Sequence, residues 1–457
     1  MKASPKSPYD SVMAPATEEV TAFDLPVTGR IPAELNGRYL RNGPNEMNLD
    51  DPLLHVFIGD GMVHGVRLRD GKAEWYRNRW VRSQHIAKAL GEEPRPGEYR
   101  RNDLGANTSV MGLGDRTFAL MEGGTRPYEL TYELDTLGPC DLGGTLREGF
   151  TAHPKVDPRT GEIHAVTYDI PGDTVRYLVI SPAGLVTRTV EIPAPHGPMM
   201  HDFSLTQKYV VLYDLPIAFS LEAAKAGARL PLAWHEGRGG RIGLLPRGGT
   251  EVRWLDIPPS WVFHTLNAYD DGDTVVLDLV SYPKMFVNAQ FQGNSLPTLD
   301  RWVVDTVTGK VTETRIDDRP QEFPVASPAV VGSAYRYGYT AVTAPMIRFA
   351  GPTAELDDLS DDSFGDSVLK HDLTDQTMEV HRFAKGCYAS EAFFVPSENA
   401  RAEDDGYLMA YVFDPDRGAS DLVILSGQDF TGAPVATVHL PARVPFGFHG
   451  RWIPDPA

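Results

Sequence analysis

The amino-acid sequence predicts an all-β fold, a sandwich or a propeller, on two observations. Turn words recur along the chain: Asp157-Pro-Arg-Thr-Gly, Asp270-Asp-Gly-Asp, Asp305-Thr-Val-Thr-Gly-Lys and Asp414-Pro-Asp-Arg-Gly. In such words an Asp side chain starts the turn and a Gly supplies the positive φ near its end. Between the turns lie short runs of β-branched and aromatic residues, with few helical stretches to separate them. The 43 Gly and 37 Pro fit many tight connections. No strict repeat is visible, so these observations give no blade count.

Taken in order, the first 20 residues are polar and Pro-rich and read as a loose arm. Strands are expected at Gly161-Glu-Ile-His-Ala-Val-Thr-Tyr, Tyr209-Val-Val-Leu-Tyr, Thr274-Val-Val-Leu-Asp-Leu-Val and Asp421-Leu-Val-Ile-Leu. Three segments break the pattern. Ser83-Gln-His-Ile-Ala-Lys-Ala-Leu-Gly predicts a short helix with a Gly stop. Ile217-Ala-Phe-Ser-Leu-Glu-Ala-Ala-Lys-Ala-Gly predicts a second, and Pro283-Lys-Met-Phe-Val-Asn-Ala-Gln-Phe a looser third. The acidic run Asp357-Asp-Leu-Ser-Asp-Asp-Ser-Phe-Gly-Asp lacks the EF-hand pattern and reads as a solvated loop.

Bulk properties narrow the function. A formal charge of −19 argues against nucleic acid, since binding phosphates needs clustered Lys and Arg. It also disfavours electrostatic attachment to anionic lipid. Cys140 and Cys387 make no disulfide framework, the N-terminus has no hydrophobic signal core, and no run approaches a membrane span. A cytoplasmic protein is expected. Any membrane contact would be peripheral and hydrophobic, through Leu215-Pro-Ile-Ala-Phe-Ser-Leu and Met285-Phe-Val-Asn-Ala-Gln-Phe. Nothing in the sequence implies a protein partner.

Of the 13 His, four sit in distinctive words: Thr151-Ala-His-Pro-Lys, Met200-His-Asp-Phe, Phe263-His-Thr-Leu-Asn and Phe446-Gly-Phe-His-Gly. His153, His201, His264 and His449 have no local metal spacing, so only a fold that returns the chain to one axis gathers them. A site made of imidazoles alone suits a first-row transition metal and leaves it its full charge. It fits ferrous iron and dioxygen better than a closed structural zinc site.

These words resemble the carotenoid cleavage oxygenase family. The resemblance runs from Glu34-Leu-Asn-Gly-Arg-Tyr-Leu-Arg-Asn-Gly-Pro-Asn through His55-Val-Phe-Ile-Gly-Asp-Gly-Met-Val-His and Thr151-Ala-His-Pro-Lys-Val-Asp-Pro to Pro445-Phe-Gly-Phe-His-Gly-Arg-Trp. It implies a seven-bladed β-propeller over residues 21–457, with a small helical and loop cap from insertions near 80–100, 215–240 and 283–298. It implies one Fe2+ per chain on His153, His201, His264 and His449, with dioxygen as co-substrate. It further implies that Glu122 orients His201, Glu322 orients His264 and Glu391 orients His449, with His153 unpaired. A carboxylate accepting the second ring N–H of a ligating His fixes its tautomer and angle.

The implied reaction is oxidative cleavage of a conjugated C=C bond of a carotenoid or apocarotenoid into two carbonyls. Thr108 aligns with a family Thr beside the open iron position. Family members that split stilbenes and phenylpropanoids carry a Lys before the first of these Glu residues, where this chain has Met121. Their Tyr has a possible counterpart in Tyr99. Met121 favours a polyene over a phenol. Phe263, Phe286 and Phe448, with Phe57, Tyr128, Trp261, Tyr282 and Phe291, are expected tunnel walls. The alternatives are a stilbene- or phenylpropanoid-cleaving dioxygenase, a non-enzymatic propeller that would have lost a His or Glu, and an isomerohydrolase, which the length and termini disfavour.

Overall fold

A computed structural model describes residues 14–48, 57–100, 103, 105–286, 296–342 and 367–456. Seven sheets form the blades of a propeller. In chain order, blades two to six begin with the strands Ser109–Leu113, Lys155–Val156, Ser204–Leu205, Trp261–Asp271 and Glu322–Ala326. Blade seven begins with Tyr388–Ala389 and Phe393–Pro396, which both pair with Gly406–Asp414. Each first strand lies innermost and the later ones step outward by antiparallel pairing.

The ring is closed twice. The C-terminal strand Gly450–Pro454 pairs with Gly37–Pro44 and becomes the innermost strand of blade one. The N-terminal strand Val27–Gly29 pairs with Ala436–His439 at the outside of blade seven. Each chain end thus completes the sheet begun by the other.

Strands between blades are covered on both faces, which is why they read as near-continuous apolar runs. Thr274–Tyr282 is buried from Val275 onward, whereas the outer strand Val186–Pro193 alternates between inside and outside. The turn words act as expected. Asp305 accepts the N–H groups of Val307 and Thr308, each at 2.8 Å, and Gly309 follows at φ +77°. Asp414 accepts the Asp416 N–H at 2.9 Å, before Gly418 at φ +63°.

The helix at Gln84–Leu90 forms, with the Ser83 hydroxyl accepting the Ile86 N–H at 3.2 Å and Gly91 left-handed at its end. The second segment differs from expectation. Only Leu221–Lys225 is helical, because Ile217–Phe219 pairs as a strand with Leu232–Trp234. That hairpin is inserted in blade four. The third segment is not helical over 283–286, and its remainder, with Phe291, lies outside the described residues, as does the acidic run at 357–366.

In the described part of the N-terminal arm, Ala16 N–H donates to Asn45 Oδ1 at 2.7 Å, and Asn45 Nδ2 donates to the Ala16 carbonyl at 2.9 Å. Of the apolar words named for membrane contact, residues 215–221, Met285 and Phe286 are described, and residues 287–291 lie outside the described residues. Leu215, Ile217, Ala218, Met285 and Phe286 are buried, and Leu221 is the large apolar side chain of these segments left exposed. The buried ones among them serve the core. No described helix is long and apolar enough to cross a membrane.

Candidate metal centre

One residue of the site stands at or near the start of each innermost strand. Thr108 precedes Ser109–Leu113, His153 precedes Lys155–Val156, and His201 precedes Ser204–Leu205. His264 lies in Trp261–Asp271, at a register shift between Val262 and Thr265. Glu322 opens Glu322–Ala326, Glu391 sits between the two short strands of blade seven, and His449 precedes Gly450–Pro454. The wide sequence spacing of the histidines is therefore blade spacing.

Local packing places His449. Glycine is required at Gly43 and Gly447, because a Cβ on Gly43 would meet Gly447 Cα at 2.7 Å. That contact lets Phe448 N–H donate to the Asn42 carbonyl and Asn42 N–H donate to the His449 carbonyl, both at 3.1 Å. The Arg-Asn-Gly-Pro word near the N-terminus thus seats the Phe-Gly-Phe-His-Gly word near the C-terminus.

The four imidazoles converge, with one nitrogen from each lying within 4.8 Å of the others. His153 Nε2 is 3.0 Å from His201 Nε2, which is 3.2 Å from His264 Nε2. The far nitrogens are held by carboxylates. His201 Nδ1–H donates to Glu122 at 2.6 Å, His264 Nδ1–H to Glu322 at 2.6 Å, and His449 Nδ1–H to Glu391 at 2.9 Å. These bonds fix the tautomers and leave Nε2 as a bare lone pair on each ring. Lone pairs gathered this closely repel one another unless a cation lies between them, so the donor set fits a divalent transition metal.

The carboxylates are themselves anchored. Glu322, fully buried, accepts the Tyr282 hydroxyl at 2.7 Å with Oε1 and the Phe323 N–H with Oε2. Burial pushes its pKa up, but His264 and these donors outweigh that and hold it below the usual carboxylate range. Glu391 Oε2 accepts the Gly450 N–H at 2.7 Å. Tyr168 lies beside Glu122, and burial together with that carboxylate pushes its hydroxyl well above the ordinary phenol range. Burial and the neighbouring imidazoles keep His153 neutral, its pKa well below the ordinary value.

The site has two faces. On one, a chamber of about 610 Å³ ends on His201, His264 and His449, with an otherwise mainly apolar lining that includes Phe57, Ile58, Met121, Met199, Leu230, Phe263, Phe323 and Phe448. Thr108, Glu122 and Tyr168 also reach it. Phe57 packs on Phe263 at 6.0 Å and on Phe448 at 5.9 Å between ring centroids. On the other face, a channel of mixed lining, more polar than the chamber, reaches His153, His264 and His449. Residue pairs of five of the seven blades divide between them. Thr108, His201, Phe263, Phe323 and Phe448 face the chamber, while Ser109, Asp202, Thr265, Pro324 and Gly450 face the channel.

The expected substrate residues separate accordingly. Met121, Phe263 and Phe448 line the chamber. Phe286 stands behind them, with its ring 6.2 Å from Phe263 and 6.0 Å from Trp261. Tyr99 is not among the chamber's lining residues: its hydroxyl donates to the Arg95 carbonyl at 2.8 Å and its ring packs on Tyr128. Sequence reasoning missed Ile58, Tyr168, Met199, Leu230 and Phe323. Only Phe323, which follows Glu322 as Phe263 precedes His264, carried a local signal.

The fold and the site are those of a β-propeller with an axial four-histidine cluster that could hold a metal ion. The family model described as retinal pigment epithelial membrane protein matches residues 13–454. The chain is 43% identical to the carotenoid cleavage oxygenase of Mycobacterium tuberculosis, covering 99% of this chain and 98% of the relative. It is 33% identical to isoeugenol monooxygenase of Pseudomonas nitroreducens, covering 97% of each. Among solved structures, a Synechocystis apocarotenoid oxygenase variant superposes with a TM-score of 0.84 at 28% identity, over 98% of this chain and 99% of the other. The cobalt-substituted form of that oxygenase superposes with a TM-score of 0.83. The chain belongs to the carotenoid cleavage oxygenase family.

Proposed function

We propose that this chain is a non-haem iron dioxygenase that cleaves a conjugated C=C bond of a carotenoid or apocarotenoid into two carbonyl products. The observation that carries the reading is the apolar chamber that ends on the four-imidazole cluster. A ferrous ion held by His153, His201, His264 and His449 supplies dioxygen activation.

The chain's own residues do the rest. Phe57, Phe263 and Phe448 form an aromatic wall on which a flat polyene stacks, which fixes the double bond over the cluster. The apolar lining excludes water. Thr108 donates its hydroxyl proton to Asn107 Oδ1 at 2.9 Å, which leaves none for a substrate. We assign it the steering of dioxygen beside the alkene. Glu122, Glu322 and Glu391 hold three imidazoles in one tautomer and offset the ion's charge in a buried site.

A second reading is cleavage of a phenylpropanoid or stilbene alkene, favoured by the likeness to an isoeugenol monooxygenase. Met121 at the chamber wall offers no charge to a phenol, and Tyr99 lies elsewhere, which supports the polyene. Incubation of iron-loaded protein with carotenoids, apocarotenals and hydroxystilbenes, followed by product mass analysis, tests the choice. Cleavage of an apocarotenal supports the first reading. Cleavage of resveratrol alone supports the second.

A further inference from the structure

The more polar channel has no part in binding a polyene, yet it reaches the same imidazoles from the opposite side. We propose that this channel, and not the apolar chamber, is the route by which the metal ion reaches and leaves the four histidines, with Lys155 and Asp202 as its gate. The inference rests on the reading of the cluster as a metal site.

Desolvation decides between the two routes. A hydrated divalent cation crossing the chamber would shed water mostly against phenylalanine, methionine and leucine side chains, with oxygen offered only by Thr108, Glu122 and Tyr168 among the side chains of its lining. The channel offers oxygen-bearing residues in succession: Ser109, Asp202, Ser204, Thr265 and Asn267. It also leads outward, since the exposed Pro328 and the half-buried Val325, Ala326 and Lys155 belong to its wall.

His153 lines the channel and not the chamber. It is also the one imidazole of the four that, among the described residues, no carboxylate holds. A ligand without that clamp turns more easily than the other three, on the side where the channel arrives.

The gate stands two residues beyond it. Lys155 Nζ lies 2.9 Å from Asp202 Oδ1, and the Asp202 side chain is nearly inaccessible. The other Asp202 oxygen accepts the N–H and the hydroxyl of Thr265, each at 2.9 Å. While the pair is closed, the ammonium repels an incoming cation and occupies the carboxylate. When Lys155 swings out, Asp202 becomes an anionic oxygen ligand next to His201. Glu391 and Arg451 are the other acidic and basic side chains on the channel wall.

Cobalt(II) is the probe, because its uptake and its loss to a chelator can be followed optically. Both rates are measured for the full chain, for the chain with its chamber filled by a long-chain alkyl ether detergent, and for the variants Ala326→Trp and Lys155→Gln. Ala326→Trp narrows the channel away from the cluster and should slow uptake and loss by about tenfold or more, with one cobalt per chain retained. Lys155→Gln removes the repelling charge and should speed uptake by about tenfold at low salt. The filled chamber should leave both rates unchanged.

Exchange blocked by the detergent, together with wild-type exchange in an Ala326→Trp protein that melts normally, would overturn the route. If Ala326→Trp fails to fold, an unchanged uptake rate in Lys155→Gln overturns the gate. Failure of the wild-type chain to bind cobalt at all would overturn the metal reading and the route with it, so the two failures are distinguishable.

Discussion

Glu322 accepts the Nδ1–H of His264 at 2.6 Å from the neighbouring blade. In the other two pairs the carboxylate also comes from a different blade, two blades away for Glu122 and the adjacent one for Glu391. Glu122, beyond the second strand of blade two, holds His201 of blade four, and Glu391 of blade seven holds His449 of blade one. No blade contains both an imidazole and its carboxylate, so the centre is complete only when the ring is closed.

Removing a carboxylate should therefore loosen the metal without removing a ligand. Glu322→Gln should cost about 10–100-fold in metal affinity or turnover. Glu122→Gln should cost less, because Glu322 is more deeply buried and also anchors Tyr282 and Phe323. Competition with a metal chelator and steady-state kinetics measure both. Equal, wild-type values in the two variants would remove the carboxylates from the site.

Met121 should set the choice between polyene and phenol. A buried phenol without a partner costs roughly 1–3 kcal/mol. Met121→Lys should raise the kcat/KM ratio for hydroxystilbenes over apocarotenals. Because Tyr99 lies outside the chamber lining, the gain should come from the lysine alone and be unaffected by Tyr99→Phe. Loss of the gain in the double variant would return Tyr99 to the substrate site.

Gly447→Ala should destabilise the fold and disturb the centre together. The added methyl meets Gly43 Cα at 2.8 Å, and an overpacked contact of this kind costs about 1–3 kcal/mol. Denaturant unfolding gives the first effect, and metal content after purification the second, since the same contact seats His449. A variant with normal stability and full metal would contradict this packing.

Acid should weaken the fold through buried neutral histidines. Burial holds His64 down to about 3, and holds His164 and His371 down to about 4. His164 accepts from Arg247 at 2.7 Å, and His371 lies 2.9 Å from Gln321 Oε1. Above about pH 6.5 neither folded nor unfolded chain protonates these rings. As pH falls below that, the unfolded chain takes up protons that the folded one refuses, and stability drops until the folded values are reached. Unfolding free energy measured from pH 7 to 4 should fall, and His371→Gln should make the fall shallower. A variant curve parallel to the wild type would contradict the assignment for His371.

The four clustered histidines were legible because each sits in a word whose neighbours have their own tasks. In Phe263-His-Thr the Phe lines the chamber, the His turns to the cluster and the Thr lines the channel, and Phe448-His-Gly repeats the arrangement. The carboxylates were legible only by resemblance, since a Glu in a blade distant in sequence carries no local mark of its partner. Tyr282 was invisible as a carboxylate anchor for the same reason. The helix expected across 217–227 fails at its first residues because Ile217–Phe219 finds a partner strand at Leu232–Trp234, and that pairing overrides local propensity. Phe286 is not helical either: its φ is +59° and its ring is packed against Trp261 and Phe263. The seven-fold ring itself left no sequence repeat, but the site left one residue per blade, from Thr108 to His449.

The most direct test is one turnover of an apocarotenal by iron-loaded protein under isotopically labelled dioxygen, quenched before the products exchange with water. Two carbonyl products that each carry label are expected. Iron-loaded protein that cleaves no apocarotenal, or that labels only one of the two products, would contradict dioxygenation of a polyene at this centre.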